Sequence, residues 1–456
     1  MQPVRVLSSR RAPRDSGTAL QAPPHYRKEF RFMSQSSGTA LPEPRHVPPA
    51  RERAAVRRLA TARLISLTGS GAAFAALAYI VFQLTGESRW VSWTLLLTFG
   101  AQGLFAPLGS ALGDRFDRRK VLVIADLAAA AGFVALAFAQ TPGQLLVMAF
   151  VTATLESPIW SISAAAVPNL VEPDDLSWAN GMVAVGRNIG NLVGPILGGV
   201  LVAVFAPDST PEQLQIAGYW VFGANAVSFV VSAWLIATTP GSFSRERDGE
   251  HRFGSLRDGM VFLLQDRVLR AITLAWVVLL LGAGFTLVAE VALAEELGAG
   301  SIGYGLINAG WGGGAALGSF LAQRYLRERH EARALIWGVA VVGLCLGLIG
   351  VAPWLPVVVG LMVGAGTGEG IGGVAEQGIL QRRTPDHVRS RVFGASESAI
   401  LIALALSFAF GGEVVDAIGP RGAYFVGGLS CLAAALVLVR PLGREHHDSA
   451  SASTST

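Results

Sequence analysis

The sequence predicts an all-α integral membrane protein of twelve transmembrane helices, arranged as two pseudo-symmetric six-helix halves. Three observations predict it. First, 52% of the 456 residues are hydrophobic and only 15% are charged, where a soluble domain carries about 25% charged residues. Many apolar runs exceed about 18 residues, enough for a helix to cross roughly 30 Å of hydrocarbon. Second, arginines gather in alternate links between those runs. Third, GSALGDRFDRRK at 109–120 returns as a fainter copy, GSFLAQRYLRER at 318–329, an offset of 209 residues.

Residues 1–58 hold 12 Lys/Arg against 4 Asp/Glu, and the remainder holds 24 against 28. The basic pI near 9.4 therefore belongs to this tail. It is rich in Arg, Pro and Ser and lacks an apolar run, so it is expected to be a disordered basic cytoplasmic tail. No signal-peptide core precedes residue 59. The tail either touches anionic lipid headgroups or has no role, and Met33 is an alternative start. The N-terminal half, 59–240, carries spans near 60–83, 90–112, 120–140, 144–168, 182–205 and 216–238. The polar stretch 241–268 is the only long internal break and is read as a cytoplasmic linker. The C-terminal half, 269–441, carries spans near 270–293, 303–323, 333–352, 355–379, 394–415 and 421–440, and 442–456 is a second cytoplasmic tail.

Arg115, Arg118, Arg119 and Lys120 follow span 2, and six arginines lie between 245 and 270. Arg324, Arg327, Arg329 and Arg333 follow span 8, and Arg382, Arg383, Arg389 and Arg391 follow span 10. The other links carry Arg89 and Arg421 alone. The positive-inside bias puts both termini in the cytoplasm and the chain in the plasma (inner) membrane. A second match, EPDDL at 172–176 with TPDHV at 384–388, keeps nearly the same offset as the first. Two parallel six-span repeats are a transporter architecture, with a binding site between the halves near the midplane.

Several chemistries lack their residues. Cys345 and Cys431 both fall in apolar runs, and no metal-ligand spacing exists. Lysine stands only at 28 and 120, so no Walker A loop is present. All seven histidines lie in tails or loops, which argues against a membrane enzyme built on His/Asp or Ser/His sets. GAGTGEGIGG at 364–373 lies inside a span with no strand before it, so it is not a nucleotide loop. No cofactor, metal or nucleic acid is expected. The partners are a small molecule, protons and lipid, and the chain is expected to act as a monomer.

Charges inside spans are costly and normally face a cavity or a partner. Glu156 sits near the centre of span 4 and Glu369 near the centre of span 10, its repeat equivalent within one residue. Asp126 in span 3 and Arg187 in span 5 lie about two turns deep. A carboxylate in such a place exchanges protons or attracts a cation; the alternative is a structural pair such as Glu156 with Arg187. Glu290 and Glu413 fall near outer ends, Glu376 and Glu397 near inner ends, where solvation or pairing is the simpler reading. Trp160 and Trp311, near the midplane, are weaker candidates for a cavity wall. Gly310, Gly314 and Gly318 in span 8 read as helix packing.

Residues 109–120 resemble the signature loop between spans 2 and 3 of the major facilitator superfamily, with Asp114, Arg115, Arg118 and Arg119 in place. Ser110 stands where that pattern has Gly, and Asp117 replaces its second Gly. GNLVGPILGG at 190–199 resembles the family's antiporter motif, with Gly190, Gly194, Pro195, Gly198 and Gly199 matching. FQLTGES at 82–88 and VPNLVEPDDLSWANG at 167–181 are similar to the branch of drug, macrolide and siderophore exporters. The resemblance covers about 60–440. It implies export of an amphiphilic small molecule by proton antiport with alternating access. It also implies that the 109–120 loop is a conformational latch and that the span 5 motif is a hinge. Many proton-coupled relatives carry an Arg in span 4, and this chain has none there. The alternatives are an uptake symporter for a small metabolite and a non-transporting sensor.

Overall fold

A computed structural model describes residues 50–172, 175–244 and 256–453. The tail through residue 49, Met33 within it, and 245–255 of the linker lie outside the described residues. The described elements are α1 (Ala50–Thr85), α2 (Ser88–Arg115), α3 (Arg118–Ala137), α4 (Pro142–Leu170), α5 (Leu176–Phe205) and α6 (Pro211–Ala237). They continue with α7 (Leu256–Gln265), α8 (Arg267–Glu296), α9 (Gly300–Tyr325), a 3-10 turn (Glu328–His330), α10 (Glu331–Ile349), α11 (Leu355–Arg383) and α12 (Asp386–Ser453). All regular structure among them is helical.

Local chemistry sets several helix ends. Thr141 and Gln144 form a reciprocal capping box, with Pro142 at the first turn of α4. Thr210 caps α6 through Gln213, again with a proline in the first turn. Asp266 accepts from the backbone of Val268 and Leu269 and so opens α8. Gly86, Gly298 and Gly300 take positive φ in the links around them.

Nine helical segments among the described residues are long and apolar enough to cross a bilayer. One of them, Val392–Leu442, is 51 residues long and includes Gly419 at φ 74° and ψ 166°, a break in the helix. Ser407 and Ser430 donate to the carbonyls of Leu281 and Leu279 on α8 at 3.0 and 3.3 Å. Two residues nearly equidistant from Gly419 thus reach the same level of α8, so α12 folds back as two arms. The glycine-rich α9 is 26 residues long and α2 is 28. Large apolar side chains such as Trp220, Trp234 and Leu436 face outward and exposed, as hydrocarbon requires and water would not tolerate in such number.

Packing repeats between the halves. In the first, α1 pairs with α5, α2 with α4, and α3 with α6. In the second, α8 pairs with α12, α9 with α11, and α10 with α12. The halves meet where α5 packs on α9 and α2 on α12. This is the two-half organisation that the repeated motif predicts.

Three boundaries differ from the sequence expectation. Residues 50–58, read as tail, are helical because Ala55, Val56 and Leu59 are buried against Leu122, Ile162 and Phe243. The linker contains α7. The helix of α12 continues past residue 441 to Ser453.

Candidate functional site

Each half encloses a cavity. The first, about 340 Å³, is lined from α1 by Arg63, Ser66, Leu67 and Ser70, from α2 by Gln102, from α4 by Glu156, Ser157, Ile159 and Ser161, and from α6 by Phe229. Glu156 accepts a hydrogen bond from Ser70 at 2.8 Å. That hydroxyl, not Arg187, is its partner. Arg187 sits on α5 and is not among these lining residues.

Asp126 is fully buried and meets Arg63, 2% exposed, at 2.8 Å. Ser232 on α6 closes a triangle, accepting from Arg63 at 2.9 Å and donating to Asp126 at 2.7 Å. Nε and Nη1 of Arg63 and Oδ1 of Asp126 are buried without a partner among the described residues. The sequence reading singled out Asp126 and missed Arg63. An arginine near the arginine-rich end of a span, last in a run of arginines, reads as a snorkelling topology signal.

The second cavity, about 160 Å³, lies among α8, α9, α10 and α11. Glu290, Glu369, Trp276 and Trp311 line it with aliphatic side chains. Glu290 is 3% exposed and accepts from Asn308 at 2.7 Å. Its burial is the difference from the solvated outer-end reading. Trp276 donates its indole N–H to Glu376 at 2.6 Å. Glu376 and Glu397 line a further cavity of about 310 Å³ toward the arginine-rich end. The side chain of Trp160 lies outside the described residues.

The antiporter-like segment is a contact hub. A Cβ on Gly194 would stand 2.7 Å from the Thr68 carbonyl oxygen, and one on Gly190 3.0 Å from Leu67 Cβ. Gly198 abuts the Ala72 backbone, so three glycines at four-residue spacing seat α5 on α1. Gly199 and the Pro195 carbonyl face the other half, while the Pro195 ring lies against Gly71 of α1: Ser301 donates to the Gly199 carbonyl at 2.9 Å, and Gly305 lies against the Pro195 carbonyl. Gly198→Val is expected to lower stability by about 1–3 kcal/mol, read as a lower unfolding temperature in detergent. Gly223→Val, where nothing lies within 4 Å of the added atom, is the matched control and is expected to leave it unchanged. Gly310, Gly314 and Gly318 pack α9 on the backbone of α11 in the same manner.

The halves are tied at the arginine-poor end. Tyr79 donates to Glu295 at 2.6 Å and the Ser88 amide to Asp416 at 3.1 Å. Ser92 bridges the Phe408 carbonyl and the Gly412 amide. Phe99 stacks on Phe408. Further contacts between the halves, Gly103 with Leu401 and Gly312 with Asn191, lie near mid-helix.

At the arginine-rich end, Arg118 and Arg119 of the 109–120 segment turn to protein. Arg118 is 6% exposed and donates to the carbonyls of Gly113 and Ala165 at 3.3 and 2.7 Å. Arg119 donates to the Gly241 carbonyl and lies over the Phe243 ring, 4.9 Å from its centroid. Arg115 is exposed beside Phe116. Asp117 caps α3 through the Lys120 amide. The side chain of Asp114 lies outside the described residues.

Residues 59–292, and again 272–455, match the Major Facilitator Superfamily. The chain belongs to this superfamily. As a major facilitator it is a multi-pass membrane transporter, and the two matches, which overlap at 272–292, together cover both halves. The enterobactin exporter EntS of Salmonella typhi is 26% identical over 399 residues, covering 85% of this chain and 92% of the relative. EntS of Citrobacter koseri is 25% identical over the same extent. Among solved structures, the nucleoside transporter NupG superposes with a TM-score of 0.69 at 12% identity, over 85% of this chain and 98% of that one. A bacterial homologue of the iron transporter ferroportin, in an inward-facing state, gives 0.66 at 17% identity, over 85% and 98%. At such identity the structural likeness of this major facilitator to them is one of fold.

Proposed function

We propose that the protein is a secondary-active exporter of the inner membrane that moves an amphiphilic, siderophore-class molecule out of the cell in exchange for protons. The observation that carries this reading is the similarity to enterobactin exporters along 92% of their length. The α5 motif supports it, because a helix seated on α1 by one face and on α9 by the other is suited to seal and release the two halves. Twelve crossings with both termini in the cytoplasm place the arginine-rich end inside. Cross-half contacts at the opposite end support an alternating-access cycle in which the two halves close on each other at that end. Glu156 and Glu369 are the proton-carrying groups of the two halves. Asp126, held by Arg63, keeps α1, α3 and α6 in register around the first cavity. Arg187 remains a candidate for coupling through α5.

Proton flux in everted vesicles with an acidic lumen tests the reading. Adding enterobactin is expected to dissipate the gradient only in vesicles that hold the protein. If instead enterobactin and macrolides leave it unchanged while a metabolite drives protons in the opposite sense, the chain is a symporter.

A further inference from the structure

We propose that the C-terminal half holds a binding site of its own for a small organic cation, an ammonium group, in the cavity among α8, α9, α10 and α11. Oε2 of Glu290 accepts from Asn308, whereas its Oε1 and both oxygens of Glu369 accept no hydrogen bond among the described residues. Glu290 is 3% exposed and lines the cavity, with the buried phenols of Tyr304 and Tyr424 also close to it. Among the described residues, no Lys, Arg or His lines the space. The rest of the wall is Leu, Val, Ala, Met and Gly, with one hydroxyl, Thr286, already donating to the Ala283 carbonyl. A carboxylate withdrawn from water gains most from a cation brought to it.

The walls select the kind of cation. Trp276 directs its N–H away, to Glu376, so the indole offers the cavity its ring, and Trp311 stands in the same lining. Aromatic faces attract ammonium groups and are strongest where water is excluded. A hard metal ion demands about six or more oxygen ligands, and this lining supplies two carboxylates and a committed hydroxyl. A softer metal wants thiol or imidazole, and neither lines the space. The volume, about 160 Å³, is below the roughly 300–1,000 Å³ of drug-sized pockets. It fits an ammonium headgroup with a short tail, not a whole macrolide. The first cavity differs in kind, since Arg63 shares it with Glu156. The site lies within one half, so it stands whether or not the protein exports siderophores.

Calorimetric titration of the purified full-length protein with choline, and with its uncharged carbon isostere dimethylbutanol, tests this. Choline is expected to bind and the isostere not, a comparison that needs no variant. Glu290→Gln, Glu369→Gln and Trp311→Ala are each expected to weaken choline by about tenfold or more. Glu413→Gln, at an exposed carboxylate of α12, is expected to change nothing. Equal binding of the isostere, choline affinity retained in both Gln variants of the cavity, or no binding of choline and tetramethylammonium by folded wild type overturns the proposal.

Discussion

Arg63→Met is expected to destabilise the protein by about 3–5 kcal/mol, the scale on which a buried ion pair fails when one partner is removed. Asp126 has no exposure at all, and without Arg63 it keeps only the Ser232 hydroxyl at 2.7 Å. Its Oδ1 is already without a partner, so nothing nearby takes over the charge. Asp126→Leu is expected to cost a similar amount, because the guanidinium then keeps Ser232 alone. The double replacement, Arg63→Met with Asp126→Leu, is expected to recover most of the loss, since two apolar groups of similar volume leave no charge behind. Thermal unfolding of the four proteins in one detergent measures this as a double-mutant cycle. Singles that melt like wild type would mean that water or lipid reaches the pair. A stable double variant that still exports would assign Asp126 to the fold. One that is stable and inert would return it to the coupling machinery.

The triad also marks where sequence reading stops. Apolar run length and the alternation of arginines carry the spans and the two halves, because both are properties of one segment at a time. The four-residue spacing of Gly190, Gly194 and Gly198 is legible for the same reason: it puts them on one helix face. That the face meets α1 while Gly199 meets α9 depends on how helices far apart in sequence dock. Ser70 with Glu156, 86 residues apart, and Arg63 with Asp126, 63 apart, are invisible on that ground. Glu290 was placed near a helix end, where solvent is the default. Its burial is set by the rotation of α8 against Asn308 of α9, which hydropathy does not encode. The start of α1 was missed in the opposite sense. Residues 50–58 are too charged to read as a span, yet Val56 and Leu59 are fully buried against neighbouring helices.

Glu156→Gln is expected to reduce proton-driven export to the background of vesicles without the protein. The amide keeps the size of the side chain and an oxygen that can still accept from Ser70, so the local packing at 2.8 Å has no reason to change. What it loses is the capacity to bind and release a proton inside a cavity where Arg63, the one cation among the described lining residues, is already spent on Asp126. The expected signature is therefore a split. Exchange of labelled for unlabelled compound across the membrane without a gradient continues, because it needs only binding and the motion of the halves. Accumulation against a gradient stops, and compound-induced proton movement stops with it. Glu156→Asp keeps the acid one methylene shorter and is expected to retain part of the accumulation, which a purely steric role for the residue does not predict. If Glu156→Gln accumulates compound as well as wild type, the first cavity carries no proton and the coupling passes to Glu369 in the other half. If exchange and accumulation fall together, Glu156 belongs to substrate binding, because a group that only couples leaves gradient-free exchange intact.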